Sequence, residues 1–203
     1  MPHAELERLV EIMHRLRAEC PWDAEQTHRS LVTYLVEESV ELVEAIEAGD
    51  DTDLVEELGD LLLQVVFHAE IAAGEGRFDL EDVARGIGDK LVARHPYVFS
   101  DAPVPDDLLG SWERRKRAEK NRTSVLDGIP RQLSALTRAA KVIARSELPG
   151  ADLPLEDSSD DIGRQILALV ARAQAQGVDA EQVTRAAVRE LESRITAREA
   201  NAD

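Results

Sequence analysis

Acidic residues in two consecutive segments have types and spacings that could do chemistry. Glu38 and Glu41 are three positions apart, and Glu57 and Asp60 repeat that spacing after fifteen intervening residues. Side chains at this spacing lie on one face of an α-helix. Carboxylate oxygens favour hard divalent cations such as Mg²⁺, Mn²⁺ or Ca²⁺ over zinc or copper. The pattern therefore predicts a carboxylate site for a divalent cation.

The distribution of charge along the chain agrees with such a site. Residues 30–76 contain thirteen Asp and Glu but no Lys or Arg. Like charges at this density repel one another, so we expect a cation to neutralise some of them. The whole chain of 203 residues carries a formal net charge of −17 at pH 7. That balance argues against binding to a nucleic acid polymer, which needs clustered Lys and Arg.

Hydrophobic periodicity predicts two helices that carry these carboxylates. Apolar side chains recur in one stripe over residues 31–46, and a second helix is predicted over about residues 53–73. Gly49 is expected to end the first helix, and one of residues 50–52 is expected to cap the second. Because the connection is so short, the helices should be antiparallel neighbours. The side chains of the second helix that are expected to face inward are Leu54, Leu58, Leu61, Leu62, Val65 and Ala69.

The register of this predicted hairpin brings the acidic residues together. In an antiparallel helix pair, residues at equal height have a constant sum of positions. That sum is 98 both for Glu41 with Glu57 and for Glu38 with Asp60. All four carboxylates are therefore expected to meet in one patch at the edge of the helix interface.

Other chemically distinctive residues do not suggest a competing metal site. A ferritin-like di-iron bundle needs Glu-x-x-His pairs, and an EF-hand loop needs Gly at its sixth position. Neither pattern occurs around these acids, and the single cysteine, Cys20, excludes a disulfide framework and a zinc site built from cysteines. His14 and His28 are expected to be surface or capping residues rather than ligands. Trp22 is expected to pack in the core.

Several motifs occur in order across residues 20–130. The acidic residues read as EExxE…ExxD, and the flanking motifs are CPWDxxQT at 20–27, GDLLxQVV at 59–66, RHPxVF at 94–99, WExxK at 112–116 and SVLDGIP at 124–130. This set resembles the MazG family of all-α nucleoside triphosphate pyrophosphohydrolases. Dimeric dUTPases and phosphoribosyl-ATP pyrophosphohydrolases share the carboxylate pattern, but the RHPxVF and WExxK segments separate this chain from both.

The resemblance implies hydrolysis of NTPs or dNTPs to the monophosphate and pyrophosphate. It implies Mg²⁺ as the cofactor, with Mn²⁺ as a possible substitute, and a nucleotide-pool housekeeping role. The metal ligands that it implies are Glu38, Glu41, Glu57 and Asp60. Glu37 and Glu56 lie on the same helices within one turn of these ligands, and either could deprotonate the attacking water. We favour Glu37 as that base.

A triphosphate also needs cationic groups from the protein, and residues 30–76 supply none. Lys90 and Arg94 are four apart on one predicted helix, so they share a face. Trp112 and Lys116 repeat that spacing, which lets an aromatic ring stack on a base while the ammonium group reaches a phosphate. The resemblance also implies that these four positions bind the nucleoside triphosphate.

The C-terminal part of the sequence repeats the first part in a degraded form. Residues 160–167 align on residues 56–63, but Arg164 stands at the position that corresponds to Asp60. A segment rich in Pro, Gly and Asp, residues 148–159, occupies the place of a second EExxE helix. A guanidinium group stays charged and cannot replace an anionic ligand. This half is therefore predicted to be catalytically inactive.

The predicted fold is all-α, with a catalytic domain of residues 1–122 and a degenerate, non-catalytic repeat of residues 123–203. The two-helix hairpin leaves its apolar face half covered, so a homodimer that completes a helical bundle is expected. The sequence has no run of about 18 apolar residues and no signal peptide, which favours a cytoplasmic protein that does not bind membranes. The alternative function is a non-catalytic module that keeps the fold and senses nucleotides or binds a partner. The intact acids of the first half favour the enzyme.

Overall fold

The protein is all-helical in the parts that the structure describes. The computed structural model describes three stretches, which are residues 3–119, 123–146 and 161–201. Every regular element within them is an α-helix, which confirms the predicted fold class. The chain divides into two compact units, Met1–Leu108 and Leu109–Asp203. The predicted domain boundary at residue 122 lies outside the described residues and stays a prediction.

The first unit is built from the N-terminal helices. They are α1 (Ala4–Glu19), α2 (Pro21–Glu25), α3 (Val32–Ala48), α4 (Asp51–Gly74), α5 (Leu80–Arg94) and α6 (Pro96–Phe99). A further helix, α7 (Leu108–Glu119), begins at the last residue of this unit and continues into the second.

Helices α3 and α4 form the antiparallel hairpin that the sequence predicts. Gly49 ends α3 in the left-handed region with φ 77°, a conformation that glycine adopts without steric cost. Asp50 then caps α4, and its side chain accepts hydrogen bonds from the backbone N–H groups of Thr52 at 2.7 Å and Asp53 at 3.4 Å. These two caps make the connection tight enough for the helices to pack side by side.

The core of the first unit lies between α1 and the second half of α4. Its buried residues are Met13, Leu31, Val66, Phe67 and Ile71, and Leu9, Val10, Leu63 and Leu80 pack against them. Burying this apolar surface stabilises the unit at about 25 cal/mol per Å² removed from water. The N-terminal half of α4, which carries the acids, lies outside this cluster.

Part of the predicted inward stripe of α4 is exposed, which corrects the sequence analysis. Leu58, Leu62 and Val65 have 49%, 40% and 39% of their surface exposed. On α3, Val36 and Val40 are also exposed, by 58% and 53%. The hairpin therefore has an apolar side that no described element of the chain covers. Hydrophobic periodicity identifies such a face but does not say whether its own chain covers it.

The second unit contains α8 (Ala135–Ser146), α9 (Ile162–Ala175) and α10 (Ala180–Ala200), which pack against one another. Its turn between α9 and α10 has the same features as the turn between α4 and α5. A glycine with positive φ follows the first helix in each case, Gly76 at 67° and Gly177 at 72°. Asp79 and Asp179 then cap the next helix. The predicted replacement of an acidic helix by residues 148–159 lies outside the described part.

No helix in the described stretches is both long enough and apolar enough to cross a membrane.

Candidate metal centre

Three of the four predicted ligands converge at the edge of the α3–α4 hairpin. Glu38, Glu41 and Glu57 each offer one carboxylate oxygen, and these oxygens lie within 4.8 Å of one another. Glu38 and Glu57 are half-buried, whereas Glu41 is exposed. Among the described residues this is the one group of three or more Asp, Glu, His or Cys side chains that could hold a metal ion.

The carboxylates of this cluster are held in an unfavourable environment for negative charge. Burial raises the pKa of the Glu38 carboxyl, and the negative charges of Asp60, Glu41, Glu57 and Glu37 raise it further. The pKa of Glu57 is raised for the same two reasons, with burial as the larger cause and the charges of Glu41, Asp60, Glu56 and Asp53 adding to it. A bound cation would relieve this repulsion.

Asp60, the fourth predicted ligand, lies outside the closest set but within its electrostatic reach. Its charge is the largest electrostatic cause of the raised pKa at Glu38 and the second largest at Glu57. Asp60 is half-buried on α4, three positions after Glu57. Its role as a ligand stays a prediction.

The donor set fits a hard divalent cation. The Oε2 atom of Glu57 is buried and has no hydrogen-bond partner in the described part of the chain. A buried carboxylate oxygen without a partner is costly, and a cation at this position would satisfy it. Three carboxylates with no nitrogen or sulfur donor match the ligands that Mg²⁺ and Mn²⁺ take in proteins.

The two candidate bases lie on the outside of this cluster. Glu37 and Glu56 are both exposed. The charge of Glu37 contributes to the raised pKa of Glu38, and the charge of Glu56 contributes to that of Glu57. Each is thus close enough to influence a cluster carboxylate, and the choice between them stays a prediction.

The predicted substrate-binding residues fall in both units. Lys90 and Arg94 lie on α5, which packs against α4 in the first unit. Lys90 is half-buried and Arg94 is only 8% exposed. Trp112 and Lys116 lie on α7 in the second unit, where the Lys116 ammonium is 4.5 Å from the centre of the Trp112 ring. The predicted spacing therefore produces a cation–π pair, and the substrate roles of all four residues stay predictions.

One contact near the hairpin was missed by sequence reasoning, and one predicted core residue is exposed. His28, expected to be a surface or capping residue, is half-buried, and its Nδ1 lies 2.8 Å from the Nδ1 of His68, with the two rings stacked at 5.0 Å between centres. Trp22 is not a core residue, because half of its surface is exposed. No spacing rule links residue 28 in a turn with residue 68 in a helix, so only the tertiary structure reveals that pair.

The fold and the site together define a class of protein in which an all-helical antiparallel hairpin presents a carboxylate centre suited to a divalent cation. Residues 26–99 match the family model of the MazG nucleotide pyrophosphohydrolase domain. The chain belongs to the MazG family.

Similar proteins cover different shares of this chain. An uncharacterized 26.1 kDa protein of Streptomyces cacaoi is 46% identical over 98% of this chain and 84% of its own length. The nucleoside triphosphate pyrophosphohydrolase of Escherichia coli (strain K12) is 47% identical over 73% of this chain and 59% of its own length. The protein of that name from Mycobacterium tuberculosis is 41% identical over 93% and 57%. The chain thus spans less than two thirds of these two named relatives.

Proposed function

We propose that the protein hydrolyses nucleoside or deoxynucleoside triphosphates to the monophosphate and pyrophosphate with a divalent cation. Mg²⁺ is the proposed cation, and Mn²⁺ is its substitute. The observation that carries the proposal is the convergence of Glu38, Glu41 and Glu57, whose carboxylate oxygens lie within 4.8 Å of one another. These residues lie within the segment that matches the MazG domain, residues 26–99.

The proposed roles follow from the positions of the acids. Glu38, Glu41 and Glu57 hold the cation, and Asp60 adds negative charge or a fourth ligand. When bound, the cation neutralises charge on the phosphate oxygens and on the departing pyrophosphate. Glu37 accepts the proton of the water that attacks the α-phosphorus, since a general base must lie within reach of that water.

Cationic side chains complete the proposed substrate site. Lys90 and Arg94 lie four residues apart on α5 and are proposed to bind phosphate oxygens. Arginine binds two phosphate oxygens at once, whereas lysine acts as a point charge. Trp112 and Lys116, which form a cation–π pair on α7, are proposed to contact the base and a phosphate.

The second half of the chain is proposed to be a degenerate repeat without catalytic function. The shared turn geometry at Gly76 and Gly177 supports the repeat. Arg164 occupies the position that corresponds to Asp60. Its backbone N–H donates a hydrogen bond to the Oδ1 of Asp161 at 3.3 Å. A permanently charged guanidinium group at that position would repel a divalent cation.

A second copy of the chain is proposed to cover the apolar side of the hairpin. Val36 and Val40 lie two positions before and after Glu38, which at 3.6 residues per turn places them on the far side of α3 from that carboxylate. On α4, Leu58 and Leu62 lie at the same heights in the antiparallel register. A homodimer that pairs these four apolar side chains with those of a second copy would bury them in a four-helix bundle and leave the carboxylates accessible.

Product analysis tests the proposed reaction. The purified full chain is incubated with Mg²⁺ and each of the common NTPs and dNTPs, and the products are separated by ion-exchange chromatography. Attack at the α-phosphorus yields the monophosphate and pyrophosphate in equal amounts. Formation of the diphosphate and orthophosphate would contradict the proposal, and so would the absence of turnover with every nucleotide.

A further inference from the structure

Helix α5 carries two of the proposed phosphate-binding residues, and its contacts with the rest of the described first unit lie near its two ends. Leu80, its first residue, is half-buried and packs against the core. The residues that follow, 81–89, are all exposed. Lys90 is half-buried, and Arg94, the last residue of the helix, is 8% exposed. The middle of α5 therefore does little to fix the orientation of the helix.

The turn before α5 is tied to two other elements by side-chain contacts. Arg77 lies two positions before Asp79, the residue that caps α5, and donates from Nη2 to the Nε2 of His28 in the turn before α3. The Nδ1 of His28 lies 2.8 Å from the Nδ1 of His68 on α4, and the two rings stack. One continuous set of contacts therefore connects the start of α5 to the turn before α3 and to α4.

The guanidinium group of Arg77 is restrained in the orientation that makes this contact. Its Nε donates to the Oε2 of Glu75 at 2.6 Å, and its central carbon lies 5.4 Å from the centre of the Phe78 ring. The backbone N–H of Arg77 donates to the carbonyl oxygen of Ala72 at 3.0 Å, at the end of α4. Because a guanidinium group is planar and rigid, these restraints also direct Nη2 toward His28.

The orientation of α5 at its start affects the side chains near its end. At a rise of about 1.5 Å per residue, Lys90 lies about 15 Å along the helix from Leu80, so a tilt of about 4° displaces it by about 1 Å. A misplacement of about 1 Å is enough to cost an enzyme as much as about 100-fold in rate. The contacts at the far end of α5 involve the proposed phosphate-binding residues themselves. The start of the helix is therefore the end at which groups outside the substrate site can set its orientation.

We propose that Arg77 and His28 are positioning residues that hold the start of α5 and, through the helix, place Lys90 and Arg94 to bind phosphate. The proposal rests on the proposed function and goes beyond it by naming what orients the cationic side chains. Neither positioning residue contacts the substrate. Loss of their hydrogen bond lets α5 adopt orientations that do not bind phosphate, and the measured affinity falls with the fraction of chains in the binding orientation.

Titration calorimetry of the full chain with Mg²⁺ and pyrophosphate tests the proposal without any turnover. Arg77→Met removes the donor and keeps an unbranched side chain, and it should weaken pyrophosphate binding by about 3- to 10-fold, as expected for the loss of one hydrogen bond. The affinity for Mg²⁺ alone should stay unchanged, because the carboxylate centre lies on α3 and α4. Arg85→Met is the matched control, since it deletes the same charge on α5, where Arg85 pairs with Asp82 at 2.7 Å. It should change neither affinity.

Double-mutant cycles test whether Arg77 acts through the residues that it is proposed to position. In a Lys90→Met background, Arg77→Met should weaken pyrophosphate binding by a smaller factor than in the wild type, because one of the positioned groups is gone. His28→Phe removes the acceptor of the hydrogen bond and keeps a ring that can stack on His68. Combined with Arg77→Met, it should weaken binding no further than either substitution alone, since both remove the same contact.

The outcomes separate this proposal from the proposed reaction. A wild-type affinity of Arg77→Met for pyrophosphate, an equal loss in Arg85→Met, or the same loss in the Lys90→Met background overturns the positioning role, and so does a wild type that binds no pyrophosphate at millimolar concentration. If Arg77→Met does not fold, His28→Phe takes its place in each comparison. The predicted losses in a chain that hydrolyses no triphosphate would leave the positioning role standing and reject the reaction. Hydrolysis with a pyrophosphate affinity that does not depend on Arg77 would do the reverse.

Discussion

The Nδ1 atoms of His28 and His68 lie 2.8 Å apart and connect the turn before α3 to the second half of α4. Arg77 donates from Nη2 to the Nε2 of His28, and its Nε donates to the Oε2 of Glu75 at 2.6 Å. The Nε2 atom of His28 is therefore an acceptor, so its ring hydrogen is on Nδ1 and points at the Nδ1 of His68. The Nδ1 of His68 then accepts this hydrogen bond, so the His68 ring is neutral in this arrangement.

Acidification should break this histidine pair. Burial lowers the pKa of His68 below its ordinary value of 6.5, and the neighbouring His28 lowers it further. The unfolded chain then binds more protons than the folded chain below that ordinary value. The stabilisation from a neutral His68 is thus present above pH 6.5 and is lost as the pH falls through the lowered pKa. We expect the urea midpoint of the wild type to fall over this range.

The variant His68→Gln isolates that effect. Its urea midpoint should depend less on pH between 5 and 8 than that of the wild type, because the titrating group is gone. His3→Gln is the control, since His3 is exposed at the start of the chain and should keep the wild-type dependence. An identical pH dependence in wild type and His68→Gln would contradict the prediction.

The carboxylate centre should respond to pH in the opposite direction. The pKa values of Glu38 and Glu57 are raised, so the folded chain binds more protons than the unfolded chain as the pH falls from neutral toward those values. The metal-free chain should gain stability from these two groups over that range. Glu57→Gln should show a smaller gain, measured from melting temperatures at a series of pH values in the presence of a chelator.

Mg²⁺ should relieve the repulsion between these carboxylates at neutral pH, as protonation does at lower pH. A cation that binds only the folded state stabilises it by about 2.7 kcal/mol when its free concentration is about 100 times its Kd. The melting temperature should therefore rise with millimolar Mg²⁺ in the wild type and rise less in Glu57→Gln. A wild-type melting temperature that does not change with Mg²⁺ or Mn²⁺ would count against a metal site at these carboxylates.

Glu41→Gln should remove turnover and leave the fold intact. The substitution deletes one unit of ligand charge with little change in shape, and the expected loss in kcat/KM is at least about 100-fold. Glu44→Gln is the matched control, because it makes the same change at an exposed position one turn along α3 and outside the cluster. Steady-state kinetics of the two variants measures the loss of turnover, and far-UV circular dichroism checks that the fold is intact. Equal activities would show that the ligand set is wrong.

The two halves of the chain should contribute unequally to catalysis. Asp60→Ala in the full chain is expected to abolish Mg²⁺-dependent pyrophosphate release, whereas Arg164→Ala at the corresponding position should leave it within about twofold of wild type, as is usual for exposed sites. A coupled pyrophosphate assay measures both variants. Substantial turnover in Asp60→Ala would mean either that Asp60 is not a ligand or that the second half is active.

The apolar side of the hairpin should mediate dimerisation. Sedimentation equilibrium of the wild type should give twice the chain mass of 22.4 kDa. Val40→Glu places a charge in that face and should yield monomers. The control is Val98→Glu, at a position on α6 that is 63% exposed, and it should leave the dimer intact. A monomeric wild type at micromolar concentration would reject this interface.

The hairpin and its carboxylates could be predicted from the sequence because they depend on local rules. The period of the apolar residues, the left-handed Gly49 and the Asp50 cap act over a few neighbouring residues. Once two antiparallel helices are established, register alone brings Glu41 to Glu57. Helical hydrogen bonding and steric limits on the backbone decide these features within a few residues of where they occur.

The exposure of Trp22 and the pairing of His28 with His68 were decided only by the tertiary structure. Both depend on how the turn between α2 and α3 folds across α4, which brings together residues 40 positions apart. Apolar periodicity likewise could not tell that Leu58 and Leu62 face away from the core of their own chain. Burial is a property of the surrounding elements, and one side chain meets another across helices only where packing of the whole unit places them.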